Sequence, residues 1–229
     1  MTAMQMRNES EAQRSTGGFA RSLAHLLGAA VAAVIWLGAT PASAQSCPAG
    51  TGVDVEPAGD AIAGDLASGV AAVFTAGTVS VSCNASHTSG TLPTTGNPAD
   101  PVVNGLTPPT FTSCTSSLGF TPTTTTNSTN GTWSLAASCG GAATLHIPRA
   151  GAVTRVATCT ITVAPSAGID VPATYTPGSP GTLAVDAMVP ISHSGLFCPN
   201  ATTARFQATY NITDTTDPSV DVTITEVPL

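Results

Sequence analysis

The chain has 229 residues, of which 42% are hydrophobic, 8% charged and 4% aromatic. It has six arginines, no lysine and thirteen carboxylates, so its net charge is −7 and no basic patch for nucleic acid can form. The hydrophobic content is too high for a disordered chain, and 37 threonines supply polar surface from a β-branched residue that favours extended backbone.

The first element in chain order is the apolar run Leu23–Ala39, LAHLLGAAVAAVIWLGA. Arg7, Arg14 and Arg21 precede it and Ala42-Ser43-Ala44 follow it. This is the pattern of a secretory signal peptide over residues 1–44, with an apolar helix and cleavage between Ala44 and Gln45. Its seventeen residues, interrupted by His25, fall short of the roughly 20 needed to span a bilayer. There is no twin arginine, which points to the general secretory route, and Met4 or Met6 are alternative starts. Cleavage leaves 185 residues, enough for one domain with a sizeable core. That part carries three arginines against eleven carboxylates, a net charge of −8. On that charge neither nucleic acid nor, after cleavage, a membrane is an expected partner. The ligand, the partners and the oligomeric state are not encoded in any recognisable motif.

Residues 45–76 are rich in Gly, Ala, Pro and Asp and poor in periodicity, which reads as a loosely ordered arm with one strand at most. Over 77–229 apolar residues recur at every second position. Val79, Val81 and Cys83 align in TVSVSC, and in TFTSC Phe111 and Cys114 are out of step by one, as a bulge allows. Trp133, Leu135 and Ala137 follow, then Ala143, Leu145 and Ile147, then Ala157, Cys159, Ile161 and Val163. The last sets are Leu183 to Ile191, Phe206 to Ile212, and Val220, Val222 and Ile224. Asn130-Gly131 and Gly140-Gly141 are hairpin candidates. The Pro-rich stretches Pro93–Pro109 and Pro172–Pro180 read as long crossing loops of Greek-key type. About eight to ten short strands separated by turn residues indicate an all-β fold. The expected architecture is an antiparallel β-sandwich, Ig-like or jelly-roll-like, with a closed barrel as the runner-up.

All six cysteines, Cys47, Cys83, Cys114, Cys139, Cys159 and Cys198, lie beyond the cleavage site. An even number in an exported chain reads as three disulfides with fifteen possible connectivities. Zinc is disfavoured because there is no C-x₂₋₄-C pair, and no CxxC redox motif occurs. Lipidation of Cys47 would need cleavage directly before it and would orphan another cysteine, so Cys47 is expected to be bridged.

The succession SVSC, FTSC, GTWSL, ATCTITVAP, ATYTPGSPGTLAV, GLFC and FQATYNIT, over about Thr78–Thr213, resembles a group of small secreted proteins from GC-rich Gram-positive bacteria without an assigned activity. The resemblance implies architecture and nothing catalytic. It also implies that Cys83 pairs with Cys114 and Cys159 with Cys198. Cys47 and Cys139 depart from that pattern and are paired as the remaining couple.

No catalytic residue emerges. A nucleophile elbow G-x-S-x-G is missing, and His193-Ser194 with Asp186 makes a triad only on paper, since adjacent strand residues face opposite ways. His87, His146 and His193 are too far apart in sequence to form a recognisable metal motif. Asp214, Asp217 and Asp221 in DTTDPSVD are a weak calcium candidate that lacks EF-hand order. Trp133 and Tyr210 read as core, leaving Tyr175 as the one loose candidate for stacking on a sugar. Outward threonines such as Thr158, Thr160 and Thr162 have no fixed period, and the Asn-x-Ser/Thr sequons follow from composition. The expectation is a secreted, extracellular or cell-surface-associated protein that is not an enzyme and has no cofactor, with a structural, adhesive or binding role. A small secreted hydrolase or inhibitor with a loop-built site is the alternative.

Overall fold

The computed structural model describes residues 47–94 and 102–229. The expected signal peptide, its cleavage site at Ala44 and Gln45, and the middle of the Pro93–Pro109 stretch lie outside the described residues. The protein is an all-β antiparallel sandwich of fifteen strands among the described residues. They are β1 (Thr51–Glu56), β2 (Ala61–Leu66), β3 (Ala72–Ala76), β4 (Val79–Thr91), β5 (Val102–Leu106), β6 (Thr110–Ser116), β7 (Thr123–Thr126) and β8 (Trp133–Ala137). After a 3₁₀ turn at Cys139–Gly141 come β9 (Ala142–Ile147), β10 (Ala152–Val156), β11 (Cys159–Val163), β12 (Ile169–Thr176), β13 (Gly181–Ser194), β14 (Thr203–Asp214) and β15 (Thr223–Pro228).

Thirteen of these strands belong to one continuous sheet, and its pairings reduce to eight runs. β2 and β3 lie end to end between β4 and β14. In the same way β5 continues into β6, β7 into β8, β9 into β10 and β11 into β12. Each run is antiparallel to the next in sequence, and the last, β14, pairs back onto the first. Both long edges of the sandwich are therefore closed by hydrogen bonds. The fifteen segments thus amount to eight runs plus the separate pair β1–β15.

The interruptions have a chemical cause. Pro109, Pro148 and Pro165 sit in three of them, where a missing N–H breaks the ladder. Ala150 and Ala164 adopt left-handed φ values of 52° and 53° there, and the N–H of Ala150 donates to the carbonyl of Ala164. Asn130-Gly131 falls in the interruption between β7 and β8, so it is a turn within one run and not the expected hairpin. Asn130 is tied sideways instead, through its amide to the Arg149 carbonyl and from Arg149 Nη2 to its Oδ1. Gly140-Gly141 does form the β8–β9 hairpin, closed by Ser138 N–H to Ala142 O. The stretches read as Greek-key crossings include strands β5 and β12, and the connections run up and down. Pro172 is tolerated on β12 because it precedes the first residue paired with β13. The 45–76 segment supplies β1, β2 and β3 in place of a loose arm. Its poor periodicity reflects glycine and alanine on a doubly paired strand, where large apolar side chains are not required.

Inside the ring lies a core of Val, Ile, Leu and Ala, with Trp133, Tyr175 and Tyr210 buried among them. A smaller cluster of Val81, Cys83 and Val156 packs with Phe111 and Cys114. Ser113, at φ 53°, lets Phe111 and Cys114 both turn inward, while the register of β6 with β4 stays unbroken. The cysteines form three bridges, Cys47–Cys139, Cys83–Cys114 and Cys159–Cys198, and none is free. These are the same three pairs named from the sequence. Cys83 and Cys114 are direct cross-strand neighbours. Cys47–Cys139 ties the start of β1 to the β8–β9 turn, where Gly140 N–H also donates to Glu226 of β15.

That bridge closes the longest loop, with a separation of 92 residues. The double variant C47S/C139S is expected to lower unfolding free energy by about 2–5 kcal/mol in denaturant titration, with the main ring intact by far-UV circular dichroism. An unchanged midpoint would mean that the β1–β15 pair is held without it.

Candidate ligand cavity

Every described residue singled out in the sequence can be placed. His193 on β13 is exposed and lies opposite Ile161. Asp186 is seven residues back on the same strand, about 23 Å away at 3.3 Å per residue. Both Asp186 oxygens are taken by Arg205, at 2.7 and 2.6 Å, and Gln207 adds a third hydrogen bond. The hydrogen bond and charge of Arg205 hold the Asp186 carboxyl below its ordinary range. His193, Ser194 and Asp186 therefore do not assemble a Ser-His-Asp site. His87 pairs with Asp65 and His146 with Asp170, each at 2.7 Å and each across one strand boundary on the outer surface.

The calcium candidates do not converge either. Asp214 is buried, and its Oδ1 accepts the N–H groups of Thr216 at 2.7 Å and Asp217 at 3.0 Å. Asp217 is exposed and accepts the N–H and hydroxyl of Ser219, which lower its pKa. Asp221 is exposed. Among the described residues no group of three or more His, Cys, Asp or Glu side chains is arranged to hold a metal. The carboxylates instead cap a turn, the ordinary use of aspartate in such sequences. Asp214 Oδ2 is buried without a donor, and Asp60 lies beside it. Partial burial, the hydrogen bond to Asp214 and the charges of Asp214 and Asp217 raise the Asp60 pKa.

Tyr175, expected to be a surface aromatic, is buried. Its hydroxyl donates to the Val222 carbonyl at 2.6 Å and burial pushes its pKa up to about 12. Trp133 and Tyr210 are core residues as expected. Trp133 Nε1 donates to Asn127 O at 2.9 Å, and the Tyr210 hydroxyl pairs with Ser86 Oγ at 2.9 Å. Burial raises the Tyr210 pKa to about 12.

The feature that sequence reasoning missed is inside the ring. A cavity of about 90 Å³ is lined by side chains from all eight runs. Phe74, Phe111, Trp133, Leu145, Val189 and Phe206 set its apolar character, while Thr88, Thr124 and Thr154 give it a few hydroxyls. No charged residue lines it. Phe111 and Phe206 meet edge to face across it, with centroids 6.3 Å apart. An eight-stranded closed sheet encloses a space that side chains either fill or leave for one small ligand. Here alanine and threonine at lining positions, Ala72, Ala152 and Thr154, stand where larger residues would fill it. No protein-family model, curated protein or solved structure matches the chain.

The acid pair gives a pH prediction. Asp60 titrates above its ordinary 3.8 in the folded protein, so its contribution to stability falls as pH rises through that window. Asp186 and Asp217 titrate below 3.8, so theirs is complete above that value and lost as pH drops through their folded pKa. D60N, which mimics the protonated side chain, is expected to raise the melting temperature at neutral pH and to leave it unchanged below the ordinary pKa. A lower melting temperature at neutral pH would show that the ionised Asp60 is stabilising.

Proposed function

We propose that this is an exported, non-catalytic β-sandwich protein with a binding role at the cell surface or in the medium, and that it holds a small apolar molecule in its interior. The observation that carries the reading is the cavity lined from all eight runs by apolar side chains and free of charge. Its volume suits a single ring or the end of an alkyl chain, since dry apolar cavities of this order take up such molecules. Export is supported by three disulfides with no free cysteine, the pattern of an oxidising compartment, together with the signal-like start of the sequence. Among the described residues no helix is long and apolar enough to cross a membrane.

Trp133 is the one tryptophan after residue 44 and lines the cavity, so its emission reports occupancy. Titration of the mature chain with toluene and short n-alkanols is expected to shift that emission and raise the melting temperature. A ligand at 100 times its Kd would add about 2.7 kcal/mol. Ala152→Leu, which adds bulk to the wall, should abolish the response, and Leu145→Ala should extend it to larger ligands. No response from the wild type, or an equal one from Ala152→Leu, would overturn the reading. Hydrolysis of an ester panel that depended on His193 would favour the hydrolase alternative.

A further inference from the structure

The up-and-down path places four connections at one end of the ring: β3–β4, β6–β7, β10–β11 and β13–β14. They form a continuous arc. Thr158 of the β10–β11 turn donates to the Leu196 carbonyl of the β13–β14 loop at 3.1 Å. Gly77 of the β3–β4 turn lies against Pro199 and Ala201 of that same loop. On its other side, Thr78 and Ser80 are hydrogen-bonded to Ser117 of the β6–β7 loop. This end carries four of the large hydrophobic side chains that face solvent, Leu118 at 37%, Phe120 at 54%, Leu196 at 68% and Phe197 at 74% exposed. The others, such as Val70, Met188 and Val220, are scattered singly, as on any soluble protein.

Three further observations distinguish this end. First, its loops are held rigidly. Cys159–Cys198 joins the residue after Phe197 to the start of β11, and Cys83–Cys114 lies a few residues before the β6–β7 loop. Gly195 opens the β13–β14 loop at φ 107°, with its Cα against the Thr158 carbonyl where no side chain fits. Second, Phe197 adopts a left-handed φ of 63°, a strained conformation for a bulky residue, although its side chain is mostly exposed. Third, charge is segregated. No carboxylate occurs in residues 66–94, 102–169 or 187–213, the stretches that build this end. Arg155, two residues before the β10–β11 turn, is exposed and has no ion-pair partner among the described residues, and His193 lies beside the opposite loop.

We propose that this end docks on a lipid bilayer surface, with Leu118, Phe120, Leu196 and Phe197 inserted at the headgroup boundary and Arg155 among anionic headgroups. Binding at such an interface grows with buried apolar area and with attraction to anionic lipid. Exposed apolar side chains spread along such an arc suit a fluid interface, which needs no matching groove. Two copies meeting tip to tip would instead bring their Arg155 side chains together. The expectation of no membrane partner rested on a net charge of −8 averaged over the surface. The described carboxylates stand away from this end, so the docking face sees almost none of that charge. The proposal is independent of the cavity.

The test is flotation of the mature, disulfide-intact chain with vesicles of mixed phosphatidylcholine and phosphatidylglycerol, and with phosphatidylcholine alone. The wild type is expected to float with the mixture and less with phosphatidylcholine alone. Leu196→Ser combined with Phe197→Ser should weaken partitioning at least about tenfold, from the apolar area withdrawn. Arg155→Ala should weaken it on the mixture by about fivefold. Met188→Ser, equally exposed but on the side of the ring, should stay within about twofold of wild type. All substituted side chains are exposed, and an unchanged melting temperature with no free thiol verifies the fold. Lack of flotation by the wild type would overturn the proposal, as would flotation indifferent to the tip substitutions. So would a dimer in the absence of lipid that those substitutions dissolve, which would make the tip a self-association surface.

Discussion

The closure of the hydrogen-bonded ring is the constraint on which the rest depends. A chain with so few charges has little means of protecting an open sheet edge, and an exposed ladder of unpaired N–H and C=O groups invites pairing with another copy. Closure removes both long edges. It also dictates the interruptions: long strands cannot wrap round a narrow interior without bending, and five of the eight runs are broken. β13 and β14 instead run unbroken, and their mutual pairing from Gly181 to Thr203 is the longest ladder among the described residues. The shorter segments attach to that pair at different levels, β12 and β11 on one side and β2 and β3 on the other.

The disulfides sit where hydrogen bonding leaves the backbone least determined. Cys159–Cys198 crosses from the first residue of β11 to a loop with no strand partner. Cys83–Cys114 sits beside Ser113, where a left-handed φ of 53° interrupts the regular strand geometry of β6. Cys47–Cys139 anchors the β1–β15 pair, which shares no ladder with the main sheet. Val55 and Ile224 of that pair, with Val222 just before β15, still pack on the core, and the Tyr175 hydroxyl reaches the Val222 carbonyl, so the bridge supports a docking made by side chains. In a small domain whose core is largely alanine and valine, such covalent closure compensates for the modest area each side chain removes from water.

Period-two alternation made most strands and their inward faces legible, although Ala157 lies exposed in the β10–β11 turn and Val220 lies exposed before β15. Val79-Val81-Cys83 and Leu183 to Ile191 point inward as their spacing requires. The path was not legible. Asn130-Gly131 has the composition of a hairpin, yet whether it reverses the chain depends on what the next run pairs with, and Pro148 and Arg149 hold it in line. Ala150 and Ala164 carry no signal at all, because nothing in an alanine announces a left-handed φ. Tyr175 looked exposed among prolines, but burial there comes from β15, about fifty residues later in the sequence. The carboxylate-free stretches were visible in the sequence, but their meeting at one end is a property of the up-and-down order.

The interior cavity carries a cost in stability. By the relation between void volume and lost stability, about 90 Å³ corresponds to roughly 2 kcal/mol. A Thr154→Val or Ala152→Val change would begin to fill the void with side chains common elsewhere in this core. Thr154 satisfies its buried hydroxyl by pairing with Thr124 Oγ1 at 3.1 Å, so a polar pair is maintained in the wall of an otherwise apolar space. That arrangement gives the space an orientation, with aromatic rings on some walls and hydroxyls on another. Packing alone has no use for such an asymmetry, whereas an apolar guest with one polar end would align with it.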